Sequence, residues 1–233
     1  SVGEELYCKG ANAFDYSQVQ AKEAYVLDLS GTIGAAAYAA PTLISFSAKM
    51  QGKAAHAGFH PEDGINSIQA AAGAIAKLPQ GHVGENTTAN IGKISGGSGT
   101  NIVSESCRVE GEIRSLNHEK AMELLETYHR TFQKAAESVH ASLAWEEKLN
   151  IHAYETPLTG DAARHYENAV KKEGLTAVFE KTFGGSDNNV FAQHGIEGLV
   201  IATSMNQVHS CSEYTKIPEI AQVARIVSNL AVL

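Results

Sequence analysis

The longest stretch of helical periodicity runs from Asn117 to His140, and any fold of this chain must accommodate a helix of that length. Asn117 has a side chain suited to an N-cap. Behind it, apolar residues recur at three- and four-residue spacing, so they line one face of a helix. These residues are Ala121, Leu124, Leu125, Tyr128, Phe132, Ala136 and Val139. The pattern predicts a long helix with one face packed against another layer.

Strand patterns lie on both sides of this helix. Polar and apolar residues alternate from Thr42 to Gln51, which predicts a strand with one solvated face. A second helix is predicted for Pro61–Leu78, since proline suits the first helical position. Further strands are predicted at Ala89–Ile94, Cys107–Arg114 and Ser142–Asn150. The resulting order, β-α-β-β-α-β, is typical of a ferredoxin-like α+β domain.

The two ends of the chain have a different character. A short apolar strand is predicted near Tyr25, and after Pro157 helices alternate with apolar strands. Alternation of this kind predicts an α/β fold with a largely parallel sheet. We therefore expect residues 1–41 and 154–233 to form one discontinuous α/β domain. Residues 42–153 would be a ferredoxin-like domain inserted into it.

The composition excludes several classes of partner. Lys and Arg number 18 against 26 Asp and Glu, a net charge of −8, which argues against nucleic acid or an anionic membrane as partner. No stretch approaches the roughly 18 uninterrupted apolar residues of a membrane span. The three cysteines are widely spaced, without a Cys-x-x-Cys motif, and this pattern predicts a reducing, cytoplasmic setting.

Four residues have the chemistry of a metal-dependent catalytic site. Glu4 and Glu5 are adjacent at the predicted end of a strand, where one carboxylate could bind a metal while the other moves protons. Asp28 ends an otherwise apolar strand, and His209 follows another, with Glu213 close enough in sequence to orient its ring. These are oxygen and nitrogen ligands that zinc accepts. The alternatives are a solvated acidic pair, an Asp that caps a turn and an ordinary loop histidine.

Two glycine-rich loops, Gly96–Gly99 and Gly184–Asp187, lack the Lys-Ser/Thr that follows a phosphate-binding loop, so both are interpreted as tight turns. Asp187 in the second loop could contact a substrate or cap the helix that follows.

Seven short motifs, in order along nearly the whole chain, resemble the cocatalytic zinc metallopeptidase family that includes peptidase T, carboxypeptidase G and amino-acid deacylases. The likeness is greatest to peptidase T-like members. The motifs are Val2-Gly-Glu-Glu5 with Gly10-Ala11, Leu27-Asp28, Gly52-Lys-Ala-Ala-His-Ala-Gly58, Thr100-Asn-Ile-Val103, Gly111-Glu-Ile-Arg114, Gly184-Gly-Ser-Asp-Asn-Asn-Val-Phe191, and His209 with Glu213.

The resemblance implies a role for each predicted site residue of the α/β domain. Glu4 matches the general base that activates a metal-bound water. Glu5 and His209 match ligands of one zinc ion, and Asp28 matches a ligand of a second, so two zinc ions are expected in a complete site. The implied activity is hydrolysis of peptide bonds in short peptides.

For the inserted domain, the resemblance implies a lid that also forms a homodimer. His56 matches the histidine that steadies the scissile carbonyl of a substrate bound to the partner chain. Asn101 and Arg114 match lid residues that hold substrate, and the forked guanidinium of Arg114 suits a terminal carboxylate.

The sequence departs from the family pattern at one point. The family has a His-x-Asp motif and a further bridging Asp, and no histidine of this chain is followed two residues later by Asp. We therefore expect a C-terminal portion that holds part of the di-metal site and is inactive by itself. The alternatives are a carboxypeptidase or N-acyl amino acid deacylase of the same family, or a non-catalytic dimeric fragment.

Overall fold

The computed structural model describes residues 1–232, which form two compact units. The flanking unit consists of Ser1–Pro41 and the segment from Ile151 onward, and the inserted unit is Thr42–Asn150. The first division falls where the sequence analysis placed it. The second lies at 150/151 rather than 153/154, because the side chain of Ile151 packs in the flanking unit. A Cβ added to Gly185 of that unit would lie 2.2 Å from Ile151 Cδ1. That the units are a catalytic domain and a lid stays a prediction.

The regular elements are, in chain order, α1 (Lys9–Ala13), β1 (Glu23–Ser30), β2 (Ala35–Ala40), β3 (Thr42–Gln51), α2 (Ser67–Ile75), β4 (Gly81–Gly84), β5 (Thr87–Gly96), β6 (Ser106–Ser115), α3 (His118–Ser138), β7 (Ser142–Ile151), β8 (Tyr154–Glu155), α4 (Asp161–Lys172), β9 (Val178–Lys181), α5 (Asn188–Gln193), β10 (Glu197–Met205) and α6 (Ile217–Ala231). Three short 3-10 turns occur at Glu4–Leu6, Tyr16–Gln18 and Pro61–Asp63. Among residues 1–232, no helix has both the length and the apolar character needed to cross a membrane.

The inserted unit has the expected ferredoxin-like order. Its sheet runs β4-β5-β6-β3-β7, in which β6 pairs antiparallel with both β5 and β3. The short hairpin strand β4 is an addition that the sequence analysis missed. Buried residues of α2 and α3 pack with β3, β5 and β6 around Phe46, Tyr128 and Phe132. The cap of α3 is as predicted, since the side chain of Asn117 accepts a hydrogen bond from the backbone N–H of Lys120 at 2.8 Å.

Two expectations for this unit were wrong. The helix predicted from Pro61 begins at Ser67 instead, because Gly64 is extended and Asn66 caps the helix by accepting from two backbone N–H groups. The strand β3 has no continuous solvated face. Leu43 and Ser47 on the expected solvated face are buried, and its exposed residues are Lys49 and Gln51 near the end of the strand.

The sheet of the flanking unit is mixed, not largely parallel. Strand β1 pairs parallel with β10, but β2 runs antiparallel to β10 and to β8 while pairing parallel with β9. The difference arises from β2, an alanine-rich strand that reverses direction after the turn at Gly31–Gly34 and that the sequence analysis missed. Because β1 and β10 are parallel neighbours, their carboxyl ends lie at one edge of the sheet.

Candidate metal and catalytic site

Glu4 and Glu5 lie in a tight turn and not at the end of a strand, as the sequence had suggested. They open the 3-10 turn Glu4–Leu6, which begins after Gly3 (φ 68°) and ends at Tyr7 (φ 61°). Both flanking residues have left-handed backbones, which reverse the chain sharply on either side of the two acids. Glu4 is half-buried and Glu5 is exposed, so the adjacent carboxylates have different environments.

The carboxyl ends of β1 and β10 bring two more of the predicted residues to the same place. Asp28 lies near the end of β1, and His209 lies in the loop after β10. The Nδ1 atom of His209 is 3.8 Å from Oε1 of Glu5, so its carboxylate neighbour is Glu5, where the sequence had suggested Glu213. The loop is closed at its base by a pair of backbone hydrogen bonds between Asn206 and Tyr214, both 3.1 Å.

Electrostatic repulsion acts among the acids of this site. Loss of hydration raises the pKa of Glu4, and repulsion from Asp28, Glu5 and Asp187 raises it further. Partial loss of hydration also raises the pKa of Asp28. Repulsion from Glu5 and Asp187 raises this pKa further, while the nearby His209 lowers it. Asp28 is exposed in the structure. An accumulation of carboxylates with raised pKa values favours binding of a cation.

The donor types fit a divalent metal ion. Glu5 and Asp28 offer carboxylate oxygens and His209 offers an imidazole nitrogen, the ligands that zinc takes in hydrolases. Oε1 of Glu5 and Nδ1 of His209 lie 3.8 Å apart. Within residues 1–232, no three His, Cys, Asp or Glu side chains converge in a metal-binding arrangement.

Asp187 and Cys8 join this site although the sequence analysis gave them no firm role. The side chain of Asp187 makes no cap to α5; it accepts hydrogen bonds from the nitrogen and the hydroxyl of Ser1. The thiol of Cys8 is buried 3.9 Å from Oε1 of Glu4, and burial raises its pKa to about 12. In the sequence, only the Gly-Gly-Ser-Asp motif pointed to Asp187 as a candidate site residue. No sequence pattern pointed to Cys8.

His56 of the inserted unit is held in a defined tautomer. Its Nδ1 atom accepts hydrogen bonds from the backbone N–H groups of Gly58 (3.1 Å) and Phe59 (3.2 Å), and its ring stacks on Phe59 at 4.3 Å. An imidazole nitrogen that accepts hydrogen bonds carries no proton, so the proton of neutral His56 is on Nε2. His56 is exposed, and its Nε2–H is a donor.

The structure brings Asn101 next to His56 and places Arg114 elsewhere. The backbone N–H of Ala57 donates to the carbonyl of Asn101 at 2.9 Å, beside a bridge between His56 and Ile102. Arg114 lies at the far end of β6, where its Nε donates to Oε1 of Glu112 at 2.8 Å. At about 3.4 Å per residue, the strand from Ser106 to Arg114 spans roughly 27 Å. One copy of the unit therefore presents these predicted residues at two separate places.

Residues 38–140 match the family model of the M20 peptidase dimerisation domain. Over 97% of its length, the chain is 36% identical to the uncharacterized protein YqjE of Bacillus subtilis strain 168. The chain superposes on aminopeptidase PepT from Bacillus cereus ATCC 10987 with a TM-score of 0.94 over 99% of its length, at 35% identity. For a tripeptidase from Staphylococcus aureus subsp. aureus Mu50, the TM-score is 0.95 over 99% of the chain, at 29% identity. The chain spans 61% of the length of YqjE, 62% of that of PepT and 61% of that of the tripeptidase.

Proposed function

We propose that this chain, which contains an M20 peptidase dimerisation domain and has the fold of the corresponding part of PepT, acts in metal-dependent removal of the N-terminal residue from short peptides. The observation that supports the proposal is that Glu4, Glu5, Asp28 and His209 lie in one unit close enough for their charges to act on one another, with Glu5 3.8 Å from His209. The likeness to PepT, at 35% identity over 99% of the chain, supports the choice of peptide as substrate. Three free cysteines, of which Cys8 and Cys107 are buried, support a cytoplasmic setting.

In this proposal, Glu5 and His209 would contribute ligands to one zinc ion of a complete site and Asp28 a ligand to a second, and Glu4 would act as the base. Bound zinc polarises a carbonyl and lowers the pKa of water. The carboxylate of Glu4 takes the proton of the attacking water and later gives it to the leaving amine.

The inserted unit would contribute the groups that hold the substrate. The Nε2–H of His56 can donate to the oxyanion that forms on the scissile carbonyl. Arg114 suits the terminal carboxylate of a short peptide. Because His56 and Arg114 lie at opposite ends of β6, one short peptide cannot reach both in a single copy of the unit. A homodimer resolves this separation if His56 and Asn101 serve the partner's substrate.

The cross-chain role of His56 is tested by mixing two inactive variants, His56→Ala and Glu4→Ala, in the full-length natural protein. A heterodimer would contain one site with both residues intact. Since random pairing makes half of the dimers heterodimers, we expect roughly one quarter of the wild-type rate. Exchange of chains is verified by native mass spectrometry. Complete exchange without recovered activity would contradict the proposal.

The substrate class is tested with tri-alanine, a dipeptide, N-acetyl-alanine and a C-terminally amidated tripeptide. We expect zinc-dependent release of the N-terminal residue of tri-alanine, loss of this activity in Glu4→Gln, and retention of it in Glu126→Gln, a surface carboxylate of α3. Preferred hydrolysis of N-acetyl-alanine would favour the deacylase alternative instead.

The 233 residues alone should bind fewer than two zinc ions per chain, as measured by elemental analysis, because the sequence contains no His-x-Asp.

A further inference from the structure

We propose that Phe59 is a specificity-determining residue, whose ring contacts the side chain of the N-terminal residue of a bound peptide and favours a large apolar one. The inference deepens the proposed function, on which it rests for the placement of the scissile carbonyl at Nε2 of His56. Both Phe59 and His56 belong to the inserted unit, so their contact lies within one compact unit of the chain.

The ring of Phe59 covers one face of the His56 imidazole. The two ring centroids are 4.3 Å apart and the ring planes differ by 24°, which is a stacked arrangement. The backbone N–H of Phe59 also donates to Nδ1 of His56 at 3.2 Å, so the residue that supplies the ring helps to fix the tautomer. A substrate group that accepts from Nε2–H of His56 therefore lies beside an aromatic ring.

Phe59 has apolar surface left for a ligand to cover. The residue is 75% exposed, although aromatic side chains are among those that gain most from leaving water. Ile102, which forms a backbone bridge with His56, is also exposed, at 39%. The surroundings of Nε2 thus combine one hydrogen-bond donor with apolar surface, the combination that orients a ligand and selects its side chain.

The turn that carries Phe59 is held by backbone hydrogen bonds. The N–H groups of Phe59 and His60 donate to the carbonyl oxygen of His56 at 3.2 Å and 3.1 Å. At the base of the segment, Lys53 and Ile65 exchange two backbone hydrogen bonds of 3.0 Å and 2.9 Å. The ring is therefore positioned before a ligand binds, and less binding energy is spent on ordering it.

The covalent structure of a peptide selects the N-terminal side chain as the one nearest to Phe59. In the proposed function, the scissile carbonyl belongs to the N-terminal residue, so the Cα of that residue is bonded directly to the carbonyl carbon. The Cα of the second residue is separated from this carbon by the scissile nitrogen. An apolar N-terminal side chain that covers Phe59 is removed from water, whereas glycine leaves the ring exposed.

The test compares wild type and Phe59→Ala, in the full-length natural protein, on Leu-Gly-Gly, Gly-Leu-Gly and Gly-Gly-Gly. We expect Phe59→Ala to lower kcat/KM for Leu-Gly-Gly by about ten-fold, as loss of an apolar contact in a pocket does, and to change the other two by less than about two-fold. Phe59→Leu keeps an apolar side chain and should keep the preference for Leu-Gly-Gly. Leu158→Ala is the matched control, since it truncates another exposed apolar side chain, before α4 of the flanking unit, and should affect no substrate.

Several outcomes would overturn the proposal. Equal losses on all three tripeptides would mean that Phe59 only holds the ring of His56, and unchanged rates on all three would mean that it contacts no substrate. A loss confined to Gly-Leu-Gly would contradict the assignment to the N-terminal side chain. Should Phe59→Ala fail to fold, as judged by circular dichroism, Phe59→Gln decides the matter by the same comparison. Failure of wild type to hydrolyse any of the tripeptides would refute the proposed function as well, and it is distinguishable because it appears before any variant is compared.

Discussion

Replacement of Asn189 by alanine should destabilise the flanking unit strongly, because this buried side chain joins three separate parts of its backbone. Its Nδ2 donates to the carbonyl oxygens of Pro41 (3.3 Å) and His152 (2.8 Å), and its Oδ1 accepts from the N–H of Ser186 at 3.0 Å. Pro41 and His152 lie at the two points where the chain leaves and re-enters the flanking unit. The alanine variant would leave all three backbone groups without their side-chain partner.

The expected loss follows from the number of hydrogen bonds. At about 1 kcal/mol for each, the three bonds amount to about 3 kcal/mol, and burial of Pro41 and Ser186 prevents water from replacing the bonds to these two residues. A loss of about 3 kcal/mol lowers the melting temperature of a domain of this size by roughly 10 °C. Asn117→Ala is the matched control, since it removes a single exposed cap bond worth about 1 kcal/mol.

The assay is urea unfolding followed by far-UV circular dichroism and by tryptophan fluorescence. The sequence has one tryptophan, Trp145, which lies on β7 of the inserted unit, so its fluorescence separates that unit's transition from the flanking unit's. We expect Asn189→Ala to lower the midpoint of the flanking unit, and Asn117→Ala that of the inserted unit. A free-energy loss in Asn189→Ala no larger than that in Asn117→Ala would refute the three-bond argument.

Two further predictions concern charge and packing. The pKa values of Glu4 and Asp28 are raised in the folded chain from their ordinary values of 4.5 and 3.8. The folded chain therefore holds these protons more tightly than the unfolded chain does. Stability consequently falls as the pH rises from the ordinary pKa values through the raised ones. A Glu4→Gln, Asp28→Asn variant in EDTA should therefore melt higher than wild type at pH 7, with the advantage lost near about pH 4; an advantage that grows toward acid would contradict this sign. Gly111→Ala should cost about 1–3 kcal/mol in urea unfolding, because its Cβ would lie 2.4 Å from Phe46 Cζ. Gly73→Ala, in α2 with nothing within 4 Å, should instead stabilise by up to about 1 kcal/mol, and equal effects at the two sites would argue against the packing explanation.

The inserted unit was predictable from sequence because its elements are long and periodic. The apolar stripe behind Asn117 and the alternation from Thr42 to Gln51 each specify one element type, and the observed bounds agree closely. The strands of the flanking unit were harder to predict from the sequence. Strand β2 reads Ala-Ala-Ala-Tyr-Ala-Ala, which has no alternation, and its strand conformation depends on pairing with β10 and β9. Without β2, a mixed sheet could not be distinguished from a parallel one.

The candidate site can be proposed from its residue types, whereas the contacts that support these residues cannot be read from the sequence. Glu4, Glu5, Asp28 and His209 combine the oxygen and nitrogen donors of a metal site, and this chemistry can be recognised without coordinates. The contact between the side chains of Ser1 and Asp187 joins residues 186 positions apart, and no local pattern indicates it. The same is true of the hydrogen bonds from Gly58 and Phe59 that fix the tautomer of His56.

Backbone strain in this chain is concentrated where the candidate ligands lie. Of the non-glycine residues with positive φ, Tyr7 and Cys8 follow the acidic turn, and Ser204, Gln207 and His209 lie in or at the base of the loop after β10. A left-handed backbone costs a non-glycine residue of order 1–3 kcal/mol. Folding alone would be better served by glycine at such positions. Strain of this kind persists where the surrounding contacts fix the conformation, and here the Asn206–Tyr214 pairing and the hydrogen bond from Cys8 N–H to the Glu4 carbonyl provide them. The two strained segments carry Glu5 and His209, whose Oε1 and Nδ1 atoms lie 3.8 Å apart.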